Sequence, residues 1–218
     1  MAVVNLKGGS GKSTLAVQLA LSWAKARTLV LADIDPQASS ALVLDRRDPT
    51  VEVVRSTGSK LPMLKTGLAR RGLQCLVVDT PGSMKEDVAA AISAADLALL
   101  VVRPTYLDIA AAAVTAQMVR QLRRPALVVL NQAPPARSGV ESGVVLKALE
   151  ALALLRLPIA EAIVRSRAVF GRATELGRAV SDVEPASPAA AEIDALAREI
   201  GQALQFAQTP EAGYLIHT

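Results

Sequence analysis

Aromatic residues are nearly missing from this chain. Two Phe, two Tyr and one Trp make up 2% of its 218 residues, so the interior must be built from Ala, Val, Leu and Ile. The same scarcity excludes a stacking platform for single-stranded nucleic acid, which needs exposed rings in series. Cysteine is reduced to Cys75, so no internal disulfide can form; its apolar setting makes it a small core residue, as expected in a reducing cytosol. The one histidine, His217, lies in the C-terminal tail and receives no role. Long apolar runs are absent too. Residues 97–102 form one of the longest, far short of the ~20 residues of a membrane-spanning helix. No basic stretch followed by an apolar one precedes the first apolar run, so no secretory leader is expected.

What is present describes a globular α/β chain. Hydrophobic residues reach 51% and charged residues 20%, enough apolar surface for one well-buried core at this length. One domain over 1–207 followed by a tail at 208–218 is the expected organisation. The net charge of +4 is unevenly spread: from Arg120 to Arg178 there are nine Arg and one Lys against four Glu, which leaves the remainder slightly acidic. A polyanionic partner on one side of the molecule fits that asymmetry.

Five short apolar runs, at 2–6, 28–33, 74–78, 97–102 and 126–130, alternate with helical spacing at 13–26, 84–94, 107–123 and 138–151, and a last amphipathic helix follows at 189–207. Continuous apolar strands alternating with helices predict a mostly parallel sheet covered on both faces. In such sheets ligands bind beyond the carboxyl ends of the strands, where Asp33, Asp79, Arg103 and Asn131 fall. The stretch 43–72, with Pro49, Gly58 and Pro62, is expected to be loop with one or two short elements.

The first strand runs into Lys7-Gly8-Gly9-Ser10-Gly11-Lys12-Ser13-Thr14 and then a helix. In a P-loop, successive backbone N–H groups converge on phosphate oxygens, and glycine is needed where a Cβ would block the approach. Gly8, Gly9 and Gly11 supply that turn with the Ser10 backbone; Lys12 reaches the β- and γ-phosphates, Ser13 ligates Mg²⁺, and Thr14 is placed for the α-phosphate. Leu6 stands where the strict pattern has glycine, so the loop is a variant.

That variant resembles the deviant Walker A loop of the ParA and MinD group of ATPases. Asp33-Ile34-Asp35-Pro36-Gln37 resembles the family's D-x-D-P-Q segment, and Asp79-Thr80-Pro81-Gly82 its Walker B strand end. The resemblance implies the P-loop NTPase fold and ATP with Mg²⁺ as cofactors. It implies that Lys7 reaches across a dimer interface to the partner's nucleotide, that Asp35 orients the attacking water, and that Asp33 and Asp79 hold Mg²⁺. The roles of Asp33 and Asp35 could be exchanged. Asn131 matches the family's adenine-contacting position, with an Asx turn before Pro134 as the alternative. Arg165, Arg167, Arg172 and Arg178 match the region that binds DNA without sequence preference, with a solvated charged face as the alternative.

The function implied is that of a short ParA-type partition ATPase without a preceding helix-turn-helix. ATP would close a two-fold homodimer on nonspecific double-stranded DNA, and a ParB-like or cargo adaptor protein would stimulate hydrolysis, in the cytoplasm on the nucleoid. A MinD-like membrane-cycling ATPase is the alternative, but it needs a basic amphipathic tail and residues 208–218 carry no Lys or Arg. A reductase of the nitrogenase iron-protein kind would need several cysteines. Plasmid, chromosome and protein cargo are not separable from these residues.

Overall fold

The computed structural model describes residues 1–44 and 50–208. Six strands form within them: β1 (Ala2–Val4), β2 (Leu29–Asp33), β3 (Glu52–Arg55), β4 (Cys75–Asp79), β5 (Ala98–Val102) and β6 (Ala126–Leu130). All pair in parallel, in the order β3-β2-β4-β1-β5-β6. The helices are α1 (Lys12–Ala24), α2 (Ser39–Leu44), α3 (Leu61–Arg70), α4 (Lys85–Ala94), α5 (Tyr106–Gln121), α6 (Gly143–Ala153), α7 (Ala168–Leu176), α8 (Val180–Val183) and α9 (Pro188–Gln208).

Strand side chains alternate between two cores, as the two-residue period dictates. Val3, Leu31, Val77, Leu99 and Val129 pack with α1 and α9; Ala2, Val4, Ala32, Val78, Leu100 and Val128 pack with α4, α5 and α6. Both sheet faces are therefore dry, which is why the central strands read as unbroken apolar runs.

The stretch 43–72 holds more structure than expected. β3 is an edge strand with a half-exposed pattern, so it has no continuous apolar run to announce it. The helix that follows it, α3, has Pro62 in its first turn and carries Gly67 within it, which blurs the helical period in the sequence. Helix α6 starts at Gly143 rather than near 138, because residues 137–140 form a tight turn and Ser142 caps the helix at Val145 N. Residues 45–49 of the expected loop and 209–218 of the expected tail lie outside the described residues.

Beyond β6, residues 158–166 run beside it as a discontinuous parallel strand. Val128 N–H donates to the Pro158 carbonyl and Ala160 N–H to the Val128 carbonyl, each at 2.8 Å; further along, Val164 N–H donates to Leu130 and Ser166 N–H to Ala133. This segment brings 165–167 to the carboxyl end of the sheet.

Helix α1 is fastened through Gln18, which is fully buried. Its Nε2 donates to the Arg178 carbonyl at 3.1 Å and its Oε1 accepts from Val180 N–H at 2.7 Å. Gln18→Leu leaves both backbone groups unsatisfied in the interior and should cost about 2–4 kcal/mol. Urea unfolding monitored by circular dichroism should show a lowered midpoint with an unchanged slope; an unchanged midpoint would refute the assignment.

Candidate functional site

The carboxyl ends of β1, β2, β4 and β6 open onto one cleft of about 610 Å³ lined by Gly8, Gly9, Gly11, Lys12, Ser13, Thr14, Asp35 and Gln132, among others. Gly11, at φ 91°, precedes α1 without any side-chain cap, and the first turn of α1 holds no acidic residue. The free N–H groups and the positive end of the helix dipole are therefore left for an anion. A Cβ on Gly11 would lie 2.3 Å from Asn131 Nδ2, so only glycine fits there. Gly82 is equally constrained: a Cβ on it would come within 2.7 Å of Gly8 N, so the end of β4 presses directly on the loop.

Lys12 is 6% exposed, and its Nζ donates to the Lys7 carbonyl at 2.9 Å. Burial pulls its pKa down, while Asp79, Asp35 and Asp108 pull it up. A phosphate in the cleft supplies the counter-charge that a buried ammonium needs. Ser10 is buried and faces inward, so only its backbone belongs to the cradle.

The register of β2 against β4 sets Asp33 opposite Asp79. Their side chains are used differently. Asp33 Oδ1 accepts from Asp35 N–H at 3.0 Å, and Oδ2 accepts from Ser40 Oγ at 2.8 Å and from Ala41 N–H at 3.0 Å. Asp33 thus holds the 34–41 loop against the sheet. Asp79 is fully buried, and neither carboxylate oxygen has a hydrogen-bond partner. Burial, with the nearby charge of Asp33, raises its pKa to about 7 against the pull of Ser13, Ser40 and Lys12. An orphaned carboxylate beside the Ser13 hydroxyl is a hard-oxygen donor set that fits Mg²⁺ bound with nucleotide phosphates. Asp33, already engaged, fits an outer position at most.

Asp35 is half-exposed at the cleft; one oxygen accepts from Gln37 N–H at 2.9 Å, and the other makes no bond to the described residues. Lys7 does not line the cleft. Its charge acts instead on Asp108, the buried acid of α5. Burial pushes the Asp108 carboxyl up, yet hydrogen bonds from Arg103 and Thr105 outweigh it and hold it below the usual range. That pair fixes the Arg103 guanidinium alongside Gly9. Arg103 was legible only as the end of a strand, and nothing in the sequence joined it to Asp108.

Asn131 is buried, and its Nδ2 donates to the Ser10 carbonyl at 2.8 Å, while Gln132 Nε2 reaches the Gly9 carbonyl at 3.4 Å. Behind the loop Asn131 borders a smaller cavity of about 170 Å³ with Thr14, Ser166, Phe170, Arg165 and Arg167. The four arginines expected on one DNA-binding face are held in different ways. Arg165 is bound bidentately by Glu141 and donates to the Pro134 carbonyl at 2.9 Å; Arg167 is bound by Glu192 at 2.6 Å. Arg172 pairs with Glu184, and only Arg178 extends to solvent without a side-chain partner among the described residues. Pairing across 24 and 25 residues of sequence separated the charge excess from its location.

Two substitutions test this geometry. Gly82→Ala should push Gly8 outward and lower nucleotide affinity at least tenfold by isothermal titration, with the fold retained by circular dichroism; parental affinity would contradict the contact. Asp79 keeps its proton to about pH 7 when folded but to about 3.8 when unfolded, so the nucleotide-free fold should lose stability as pH rises from 4 to 7 and stay lower above. At pH 8, Asp79→Asn should be more stable than the parent by an amount on the order of a few kcal/mol, and should lose the Mg²⁺ dependence of nucleotide binding. Equal stability at pH 8 would count against the buried charge.

Comparison with known proteins agrees with this site. Residues 1–180 match the family model described as the CobQ/CobB/MinD/ParA nucleotide binding domain. The chain is 29% identical to the maintenance of carboxysome distribution protein A of Halothiobacillus neapolitanus, over 92% of this chain and 95% of that one. It is 30% identical to the protein of the same name from Gloeobacter kilaueensis, over 83% and 82%. The fold superposes on an ATP complex of Cyanothece McdA with a TM-score of 0.78 at 16% identity, covering 94% of this chain and 95% of that one. The chain belongs to the CobQ/CobB/MinD/ParA nucleotide-binding domain family and is of its ParA/MinD type.

Proposed function

We propose that this chain is an ATP-driven cargo-positioning ATPase. ATP closes a two-fold homodimer that binds duplex DNA without sequence preference, and an adaptor protein on the cargo stimulates hydrolysis and release. The observation that carries the reading is the division of labour between two lysines. Lys12 is buried in its own loop, whereas Lys7 stays outside the cleft that its loop encloses. A lysine beside the phosphates yet not lining their cleft suits a neighbouring subunit's nucleotide across a two-fold axis.

In this reading water attacks the γ-phosphorus, the bond to the β,γ-bridging oxygen breaks, and ADP and phosphate leave. Asp35, with an oxygen free toward the cleft, orients that water; Lys12 and the partner subunit's loop lysine neutralise the charge that grows on the phosphoryl oxygens. Ser13 and Asp79 hold Mg²⁺, with Asp33 behind them. Adenine occupies the cavity bordered by Asn131, whose walls Arg165 and Arg167 stiffen.

A protein compartment is the favoured cargo, because both curated relatives carry a name for carboxysome distribution. Plasmid and chromosome partition have no comparable support. Among the described residues no helix is long and apolar enough to cross a membrane.

Asp35→Ala should keep ATP binding and accumulate the dimer while hydrolysis falls about a hundredfold. Lys7→Ala should bind ATP as a monomer. Light scattering with ATP under conditions that block hydrolysis tests both. A parent that stays monomeric there would overturn the reading.

A further inference from the structure

Two anchors hold the start of the phosphate loop against α5. Leu6 N–H donates to Thr115 Oγ1 at 3.1 Å, and Thr115 is fully buried within that helix. Further along the loop, Gly9 lies against the Arg103 guanidinium: a Cβ built there would meet Nη1 at 3.8 Å and Nη2 at 3.9 Å. Lys7 falls between the two anchors, so the root of its side chain is set down beside the turns of α5 that run from Asp108 to Thr115.

Those turns carry one charged group, Asp108, whose side chain is 1% exposed. Its Oδ1 accepts from Arg103 Nε at 2.9 Å, and its Oδ2 accepts from Arg103 Nη2 at 3.1 Å and from the Thr105 hydroxyl. The Lys7 charge acts on Asp108 as well, yet the Lys7 side chain makes no hydrogen bond or ion pair among the described residues. Lys12 is committed elsewhere, with its ammonium on the Lys7 carbonyl and Asp79 as the acid that draws it most.

A carboxylate buried this deeply needs a cation, because removing one partner of such a pair leaves an uncompensated charge. Two stand nearby. A guanidinium meets a carboxylate with two parallel N–H bonds in one plane, whereas an ammonium is a point charge on a flexible stem. With Arg103 in place, three of about four acceptor directions on Asp108 are filled, and the charge of the guanidinium opposes the approach of a second cation.

We propose that Arg103 is a positioning residue for phosphoryl transfer: by occupying Asp108 it keeps Lys7 unpaired and available to the neighbouring subunit's nucleotide. The proposal rests on the reading above that Lys7 acts across the dimer. Asp108 is then a trap for Lys7, and Arg103 its stopper. A plainer account makes the pair a brace at the first turn of α5, where an acid favours the positive end of the helix. Thr105 already caps that turn, accepting from Asp108 N–H at 3.3 Å, and a brace requires neither burial nor a guanidinium laid against the loop.

The first test needs no nucleotide. In a double-mutant cycle read by urea unfolding, Lys7→Ala should change the parent little and lower the midpoint of Arg103→Ala, because only in the second background does Lys7 neutralise Asp108. Additive effects would overturn the proposal and leave the role of Lys7 across the dimer untouched. The second test is light scattering at a saturating ATP analogue that resists hydrolysis. With Lys7 held by Asp108 about nine-tenths of the time, Arg103→Ala should dimerise about tenfold more weakly than the parent. Arg103→Ala/Asp108→Asn, which removes the trap with its stopper, should dimerise better than Arg103→Ala. A double variant that is not rescued would mean that Arg103 itself touches the partner, and would overturn the positioning role. If Arg103→Ala does not fold, Arg103→Gln, which keeps an amide donor for Asp108 without the charge, is carried through the same cycle and the same rescue. A parent that stays monomeric with the analogue bound would overturn the reading of Lys7 and this proposal with it, whatever the cycle shows.

Discussion

A carboxylate buried without a hydrogen-bond partner is unstable by itself, and Asp79 is the point around which the nucleotide site is arranged. The sheet interior that surrounds it cannot supply a counter-charge, because its neighbours there are Val, Leu and Ala together with Asp33, whose charge has the same sign. Relief has to come from the cleft, where Ser13 and Lys12 are held by the loop. The loop in turn keeps its shape because Gly82 lies against Gly8 and because Asn131 and Gln132 hold its carbonyls from behind. The site is thus assembled from four strand ends, and its central group is uncompensated until ligand arrives. Such a site trades fold stability for readiness to bind.

The parts of this arrangement that were legible in the sequence are those that depend on local spacing. The phosphate loop needs consecutive backbone amides, so its glycines and Lys12 stand together in the chain. Central strands are buried on both faces and therefore announce themselves, as do the polar residues that end them. What stayed hidden depends on pairings between distant segments. β3 is half-exposed and gives no run; the segment at 158–166 extends the sheet through a few separated bonds, with Pro158 and Arg165 breaking any strand pattern.

The arginines show the limit most clearly. The charge excess between Arg120 and Arg178 is a property of the sequence, but its placement is a property of the fold. Glu192, on the last helix, accepts both the Arg165 N–H and the Arg167 guanidinium, and Glu141 takes the Arg165 guanidinium from the other side. A residue count cannot separate these cations from Arg123, Arg124 and Arg156, which look the same in one dimension. Burial separates them at once: the Arg165 side chain is 11% exposed.

The length of a five-residue strand has a further consequence. At ~3.3 Å per residue it holds the nucleotide end and the amino-terminal end of the sheet about 17 Å apart, roughly twice the Debye length of physiological salt. Across that distance the exposed ends of the molecule are electrically blind to each other, and gaining or losing a γ-phosphate barely alters the potential at the far end.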